Sequence, residues 1–170
     1  MINVCILTAS DKGSRGERED LSSKAIREVI SRLGARVVDY VVVPDERHLI
    51  SSKLVEWADK RNVDMIITTG GTGLSPRDVT PEATLDVIER NVPGLAEVMR
   101  AEGIKKTPHA MLSREVCGVR NRTLIINLPG SPKAVRECLE AILPALPHAV
   151  EVVRGEASEC AGPEKAQTAG

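Results

Sequence analysis

The sequence has 170 residues, 42% of them hydrophobic and 28% charged, and its 23 Lys and Arg nearly balance its 24 Asp and Glu. That balance fits one soluble domain with a real core. The net charge of −1 excludes a non-specific nucleic-acid binder, which needs a basic excess to neutralise phosphates. One Trp, one Tyr and no Phe exclude a base-stacking platform and leave an aliphatic core.

Apolar runs and helical patterns alternate along the chain. The N-terminus, MINVCILTASDKG, has no basic leader segment and is expected as a first strand over residues 2–8, not a signal peptide. Leu21, Ala25, Ile26, Val29, Ile30 and Leu33 fall at helical spacing, and Gly34 sits where a C-terminal cap belongs. A β-branched run over residues 37–43 gives the second strand. Ile50, Leu54, Trp57, Ala58 and Arg61 mark one face of the next helix. The third strand, residues 63–68, runs into Gly70-Gly71-Thr72-Gly73.

Thr80-Pro81-Glu82 reads as a helix start, with threonine as cap and proline at the first helical position. Asn91-Val92-Pro93-Gly94 ends that helix before a further apolar stretch at Leu95, Val98 and Met99. Residues 117–120 suggest a short antiparallel edge, and residues 123–128 the fourth strong strand. Ala134, Val135, Cys138, Leu139, Ile142 and Leu143 mark a last helix, broken near Pro144 and Pro147 and resuming towards Val153. Residues 155–170 lack periodicity and are expected as a disordered tail. The expected fold is α/β, a three-layer αβα domain over residues 1–154 with a mostly parallel central sheet.

Cys5, Cys117, Cys138 and Cys160 form no C-x-x-C pair, and a chain with a full core needs no disulfides, which suits the cytoplasm. His48, His109 and His148 have no zinc-ligand spacing. No apolar run is long enough to span a membrane. Cys5, Cys138 and Trp57 lie on apolar faces and read as core.

In a parallel sheet, ligands bind beyond the carboxyl ends of the strands. Strand one is followed by Thr8, Ser10, Asp11 and Lys12, and strand two by Pro44 and Asp45. Strand three leads into the glycine loop, Ser75, Arg77 and Asp78, and strand four into Asn127, Pro129, Gly130 and Ser131. Small, polar and acidic residues thus gather at one edge. Gly70, Gly71 and Gly73 permit positive φ and let backbone N–H groups approach an oxyanion, although the loop matches neither a P-loop nor the dinucleotide fingerprint. The reading preferred over a plain tight turn is a phosphate- or pterin-cradling loop. Asp45 and Asp78 are candidate Mg²⁺ ligands bridging nucleotide phosphates. Alternatively, Asp45 opens a turn and Asp78 caps the helix at Thr80. Lys12, Arg15 and Arg77 are candidate phosphate cations.

Ser10-Asp11, Pro44-Asp45-Glu46, Thr69-Gly70-Gly71-Thr72-Gly73, the run from Pro76-Arg77-Asp78 to Thr84, and Asn127-Leu128-Pro129-Gly130-Ser131-Pro132 occur in order at compatible spacings. In this the chain resembles the molybdopterin adenylyltransferase family of molybdenum cofactor biosynthesis, over residues 2–154. Met111-Leu112-Ser113-Arg114 is similar to the family as well. The resemblance implies Mg²⁺- and ATP-dependent adenylylation of the molybdopterin phosphate, with release of pyrophosphate, and a molybdotransferase partner downstream. It implies Asp45 and Asp78 as the essential acidic pair. Substrate contacts are expected from Thr8, Ser10, Asp11, Gly70, Gly71, Thr72, Gly73, Ser75, Arg77, Ser113, Asn127, Pro129, Gly130 and Ser131. It also implies a homotrimer. The alternative within the family is a non-catalytic molybdopterin carrier. Asp20-Leu21-Ser22-Ser23 departs from the family's Asp-x-Ser-Gly by placing serine for glycine. Asp20 and Ser22 are therefore left out of the expected site.

Overall fold

The computed structural model describes residues 1–61 and 63–156. The expected tail beyond Glu156, with Cys160, lies outside the described residues.

Four strands share one direction: β1 (Asn3–Ala9), β2 (Arg36–Val43), β3 (Met65–Thr69) and, numbered by chain order, β6 (Thr123–Leu128). The short β4 (Arg90–Asn91) and β5 (Cys117–Arg120) extend the sheet, whose order is β2-β1-β3-β6-β5-β4. β5 runs antiparallel to both β6 and β4. The sheet is thus mostly parallel, with an antiparallel hairpin edge.

Alternation along the strands builds two cores. Val4 and Ile6 of β1, Met65 and Ile67 of β3, and Leu124 and Ile126 of β6 point to one face. There they pack on α2 (Leu21–Ser31), α5 (Pro93–Ile104), α6 (Pro132–Ile142) and α7 (Leu146–Arg154). Cys5, Leu7, Ile66 and Ile125 point to the other face, against Ile50, Leu54 and Trp57 of α3 (Arg47–Lys60) and Ala83 of α4 (Thr80–Leu85). Both faces are covered, so these strands read as continuous apolar runs. Burying each such aliphatic side chain contributes about 1.5–3 kcal/mol.

Gly34 takes φ +64° and its N–H caps Ser31 O at 3.0 Å, as its place after the apolar stripe predicts. Trp57 is fully buried, and its Nε1 donates to Asp39 Oδ2 at 2.9 Å. Burial pushes the thiols of Cys5, Cys117 and Cys138 up to about 12, so these cysteines are inert core residues. The last helical stretch breaks as expected, into α6, a 3-10 turn at Leu143–Ala145, and α7 with Pro147 in its first turn.

The start of α4 differs from expectation. Val79, not Thr80, occupies the cap position and no side chain caps the helix. Thr80 is the first helical residue, fully buried, with its N–H bound to Gly71 O at 3.1 Å. Asp78 turns instead to the Ser75 N–H at 2.9 Å. No helix among the described residues is long and apolar enough to cross a membrane.

Candidate active site

From β1 the chain crosses through α2 on one face to reach β2, then returns through α3 on the other face to β3 on the opposite side of β1. The connections therefore diverge between β1 and β3, and such a switch point opens a crevice at the strand ends. A cavity of about 590 Å³ lies there. Its walls draw on all four parallel strand ends: Thr8 at the end of β1 and Ser10 after it, Asp45 after β2, Gly70, Gly71 and Asp78 after β3, and Gly130 and Ser131 after β6. The entry to α2 closes the remaining side with Arg18, Glu19, Asp20 and Ser22.

The turns are stitched together by short bonds. Gly70 N donates to Leu128 O at 3.2 Å, and Thr69 Oγ1 to Pro129 O at 2.6 Å. Gly70 has φ +89°, and a Cβ there would collide with the Ala9 carbonyl oxygen. Only glycine lets the β3 turn lie this close to β1. Ser22 Oγ donates to Gly130 O at 2.7 Å, which joins the start of α2 to the turn after β6. Ser10 caps α1 (Asp11–Ser14) by accepting from Gly13 N at 3.0 Å.

The electrostatics are acidic. Among the described residues, Glu19, Asp20, Asp45 and Asp78 line the cavity against a single lining cation, Arg18. Neither Asp45 nor Asp78 enters an ion pair among the described residues. Asp45 Oδ2 accepts from Asp11 N at 2.9 Å, and Asp78 Oδ2 from Ser75 N. Burial pushes the Asp45 carboxyl above its usual value, and the charges of Asp11 and Asp78 push the same way.

Other expected site residues sit beside the cavity and act on its walls. Arg77 places Nε and Nη2 on Asp11 at 3.1 and 2.9 Å, and Nη2 also reaches Glu46 Oε1 at 2.8 Å. Its guanidinium is thus occupied by carboxylates, and its hydrogen bonds hold the Asp11 carboxyl below the usual range. Arg15 is likewise paired, with Glu17 at 2.7 Å. Asn127 is fully buried: Nδ2 donates to Thr68 Oγ1 and Thr84 Oγ1 at 3.0 and 2.8 Å, while Oδ1 accepts from Val116 N at 3.2 Å. Thr72 is buried with its hydroxyl 3.4 Å from that of Ser113, and a Cβ on Gly73 would stand 2.8 Å from Asp78 Oδ2. Asp11, Thr72, Gly73, Ser75, Arg77, Ser113, Asn127 and Pro129 do not line the cavity.

Three residues outside the expected site belong to it in the structure. Asp20 and Ser22 are cavity residues. The Ser23 side chain does not intrude: it is buried away from the cavity, its hydroxyl bound back to Asp20 O at 3.2 Å. Asp20 Oδ2 accepts from the hydroxyls of Thr8 and Tyr40 at 2.5 and 2.6 Å, and Oδ1 from Ser23 N at 2.9 Å. Burial alone would raise this carboxyl, but those donors outweigh it and hold it low. Asp20 stands one residue before the amphipathic stripe of α2, a sequence pattern that marks an N-cap. Arg114 is the third. Its Nε binds Gly73 O and its Nη2 binds Asp78 O, both at 2.8 Å, while Nη1 pairs with Glu82. It clamps the glycine loop onto α4.

A family profile described as a probable molybdopterin binding domain matches residues 5–148. The molybdopterin adenylyltransferase of Helicobacter pylori strain J99 is 49% identical over 156 residues, 91% of this chain and 89% of that protein. The crystal structure of the molybdopterin biosynthesis enzyme MoaB from Thermus thermophilus is 57% identical, with a TM-score of 0.88 over 94% of this chain and 100% of that one. The Drosophila melanogaster molybdenum cofactor synthesis protein cinnamon is 44% identical over 92% of this chain, which spans 26% of that longer protein. The matched span takes in the whole cavity, and by that match the chain belongs to the probable molybdopterin binding domain family.

Proposed function

We propose that this chain is a molybdopterin adenylyltransferase, a nucleotidyltransferase that joins the AMP moiety of ATP to the phosphate of molybdopterin. One observation carries the reading. Two carboxylates, Asp45 and Asp78, face one cavity between glycine turns, and neither is ion-paired among the described residues.

That donor set fits a divalent cation. A triphosphate entering a cavity with four acidic residues and one arginine meets net repulsion unless a cation accompanies it. Asp45 and Asp78 would hold Mg²⁺, with water and phosphate oxygens completing its shell. Bound there, Mg²⁺ supplies charge neutralisation on the phosphates.

The chain's own groups hold the reactants. Gly70, Gly71, Gly130 and Ser131 bring backbone close to the phosphates, and Thr8, Ser10, Asp20 and Ser22 shape the opposite wall. Asp11, Arg77 and Arg114 act through what they position, and Asn127 through the strand end that it ties down. The pterin phosphate oxygen attacks the α-phosphorus of ATP. The new P–O bond forms as the bond to the β-phosphate bridging oxygen breaks, and pyrophosphate leaves. The nucleophile is already an anion, so positioning and charge stabilisation suffice without a general base.

The proposal extends to assembly and setting. Leu74, Met111 and Leu112 are exposed large apolar side chains on the glycine loop and on the 3-10 turn at Pro108–Leu112. These exposed apolar side chains support a homotrimer in which like chains would cover them, and light scattering checks it. The inert thiols suit the cytoplasm, and a molybdotransferase would take the adenylylated product. The test of function is incubation with molybdopterin and Mg-ATP, followed by chromatography. Adenylylated pterin with equimolar pyrophosphate supports the reading. Pterin binding without either product makes the chain a carrier.

A further inference from the structure

Thr80 is fully buried, and its hydroxyl is one of two buried side-chain polar atoms among the described residues that lack a hydrogen-bond partner. The other, Glu82 Oε2, shares its carboxylate with the oxygen that pairs Arg114. Buried polar groups are almost always satisfied, so an orphaned hydroxyl beside a site calls for a role. The rest of Thr80 is fully engaged: its N–H binds Gly71 O at 3.1 Å, and its carbonyl accepts from Thr84 Oγ1 at 2.9 Å.

The hydroxyl faces the space where Gly71 has no side chain. A Cβ at Gly71 would overlap Thr80 Oγ1 and stand 3.1 Å from Asp45 Oδ1. The two oxygens therefore approach one point, the place of the missing side chain. Asp45 Oδ2 is held by Asp11 N at 2.9 Å, whereas Oδ1 takes none of the hydrogen bonds found among the described residues. A donor without an acceptor stands near an acceptor without a donor.

We propose that Thr80 is a positioning residue for Asp45, its hydroxyl donating to Asp45 Oδ1 across Gly71 when the cavity is loaded. The inference deepens the function proposed above and rests on it. With Oδ2 fixed by Asp11 N–H and Oδ1 by Thr80 O–H, the carboxylate plane is set at both oxygens and its remaining lone pairs are free for the cavity. Gly71, with φ +65°, then serves a second end besides the turn: it leaves the line between hydroxyl and carboxylate open.

Three variants test this: Thr80→Val, which swaps hydroxyl for methyl at equal shape, Thr80→Ser, which keeps the hydroxyl, and Asp45→Asn as reference. Thermal midpoints are measured on each protein alone. Mn²⁺ binding is read by electron paramagnetic resonance with ATP present, and turnover by pyrophosphate release. Thr80→Val is expected to keep or raise the midpoint, because an unsatisfied polar atom is removed. It should weaken Mn²⁺ binding about tenfold or more, and Thr80→Ser should recover most of that loss. Wild-type Mn²⁺ affinity and turnover in Thr80→Val overturn the role of Thr80 while leaving the proposed function intact. So does a fall in midpoint that serine does not repair. Wild-type protein that neither binds Mn²⁺ nor releases pyrophosphate overturns the function, and this inference with it.

Discussion

Asp11 and Asp45 hold each other by reciprocal hydrogen bonds: the Asp11 N–H donates to Asp45 Oδ2 at 2.9 Å and the Asp45 N–H to Asp11 Oδ1 at 3.1 Å. The ends of β1 and β2 are thereby locked in register beyond the last ladder pair, Ala9 with Val43. Arg77 forks onto the same Asp11 and brings the loop after β3 into the lock. The orientation of Asp45 is thus set by a chain of contacts that starts from an exposed arginine.

Arg77 is consequently expected to act on catalysis with little effect on stability. Its side chain is 53% exposed, and exposed ion pairs contribute at most about 1 kcal/mol. Lysine cannot reproduce the fork onto Asp11 and Glu46. Arg77→Lys and Arg77→Ala should lower kcat by roughly 10- to 100-fold through misplacement of Asp45, with a nearly unchanged thermal midpoint. An increase in KM for ATP at constant kcat would instead make Arg77 a direct phosphate contact.

Asp45 and Asp64 should respond to pH in opposite senses. Burial alone would raise the Asp64 carboxyl, but Arg154 and the Asn3 N–H outweigh it and hold it low. Its contribution to stability is complete above about pH 4, the unfolded carboxyl value, and is lost as pH falls through the folded value. The Asp45 value is raised, so its contribution is complete below about pH 4 and is lost as pH rises through the folded value. At neutral pH the Asp45 charge therefore opposes folding. Asp45→Asn should raise the thermal midpoint at pH 7.5, with the gain shrinking towards pH 4, while Asp64→Asn should lower it. A lower midpoint for Asp45→Asn at pH 7.5 would contradict this electrostatic account.

Two glycines should answer differently to alanine. Gly70 combines φ +89° with a Cβ path blocked by backbone, so Gly70→Ala is expected to cost about 3 kcal/mol. For a domain of this size that is a drop of roughly 6–12 °C in melting temperature. Gly94 lies in the first turn of α5 with open space around its Cβ position. Gly94→Ala should stabilise by about 0.5–1 kcal/mol. Calorimetry of the two variants checks both, and equal effects would refute the conformational argument.

The buried frame was legible in the sequence because its strands are apolar on both faces and its helices carry one stripe each. Leu7 and Ile6 belong to opposite cores, yet together they spell the continuous run that marks a central strand. The four strand ends were legible too, since the topology sends each to the same edge. β4 was not: Arg90 and Asn91 are two exposed residues whose strand character comes only from pairing with β5. Nor was the state of Arg77, whose charge is written in the sequence while its partner lies 66 residues away. Asn127 was expected at the substrate from its place at the end of the fourth strand and from the family resemblance; its amide is bound to Thr68, Thr84 and Val116, partners that the sequence does not announce. Long-range partners of polar side chains follow from packing, which no local pattern encodes.

The most direct test of adenylyl transfer at the paired carboxylates compares wild type with Asp78→Asn in one experiment, reading pyrophosphate release and molybdopterin binding together. The account predicts that turnover falls on the order of 10³-fold while pterin affinity stays within a few-fold of wild type. Asp78→Asn protein that still turns over at the wild-type rate would contradict it. Loss of pterin binding in step with turnover would contradict it as well, by making Asp78 a structural residue of the glycine loop.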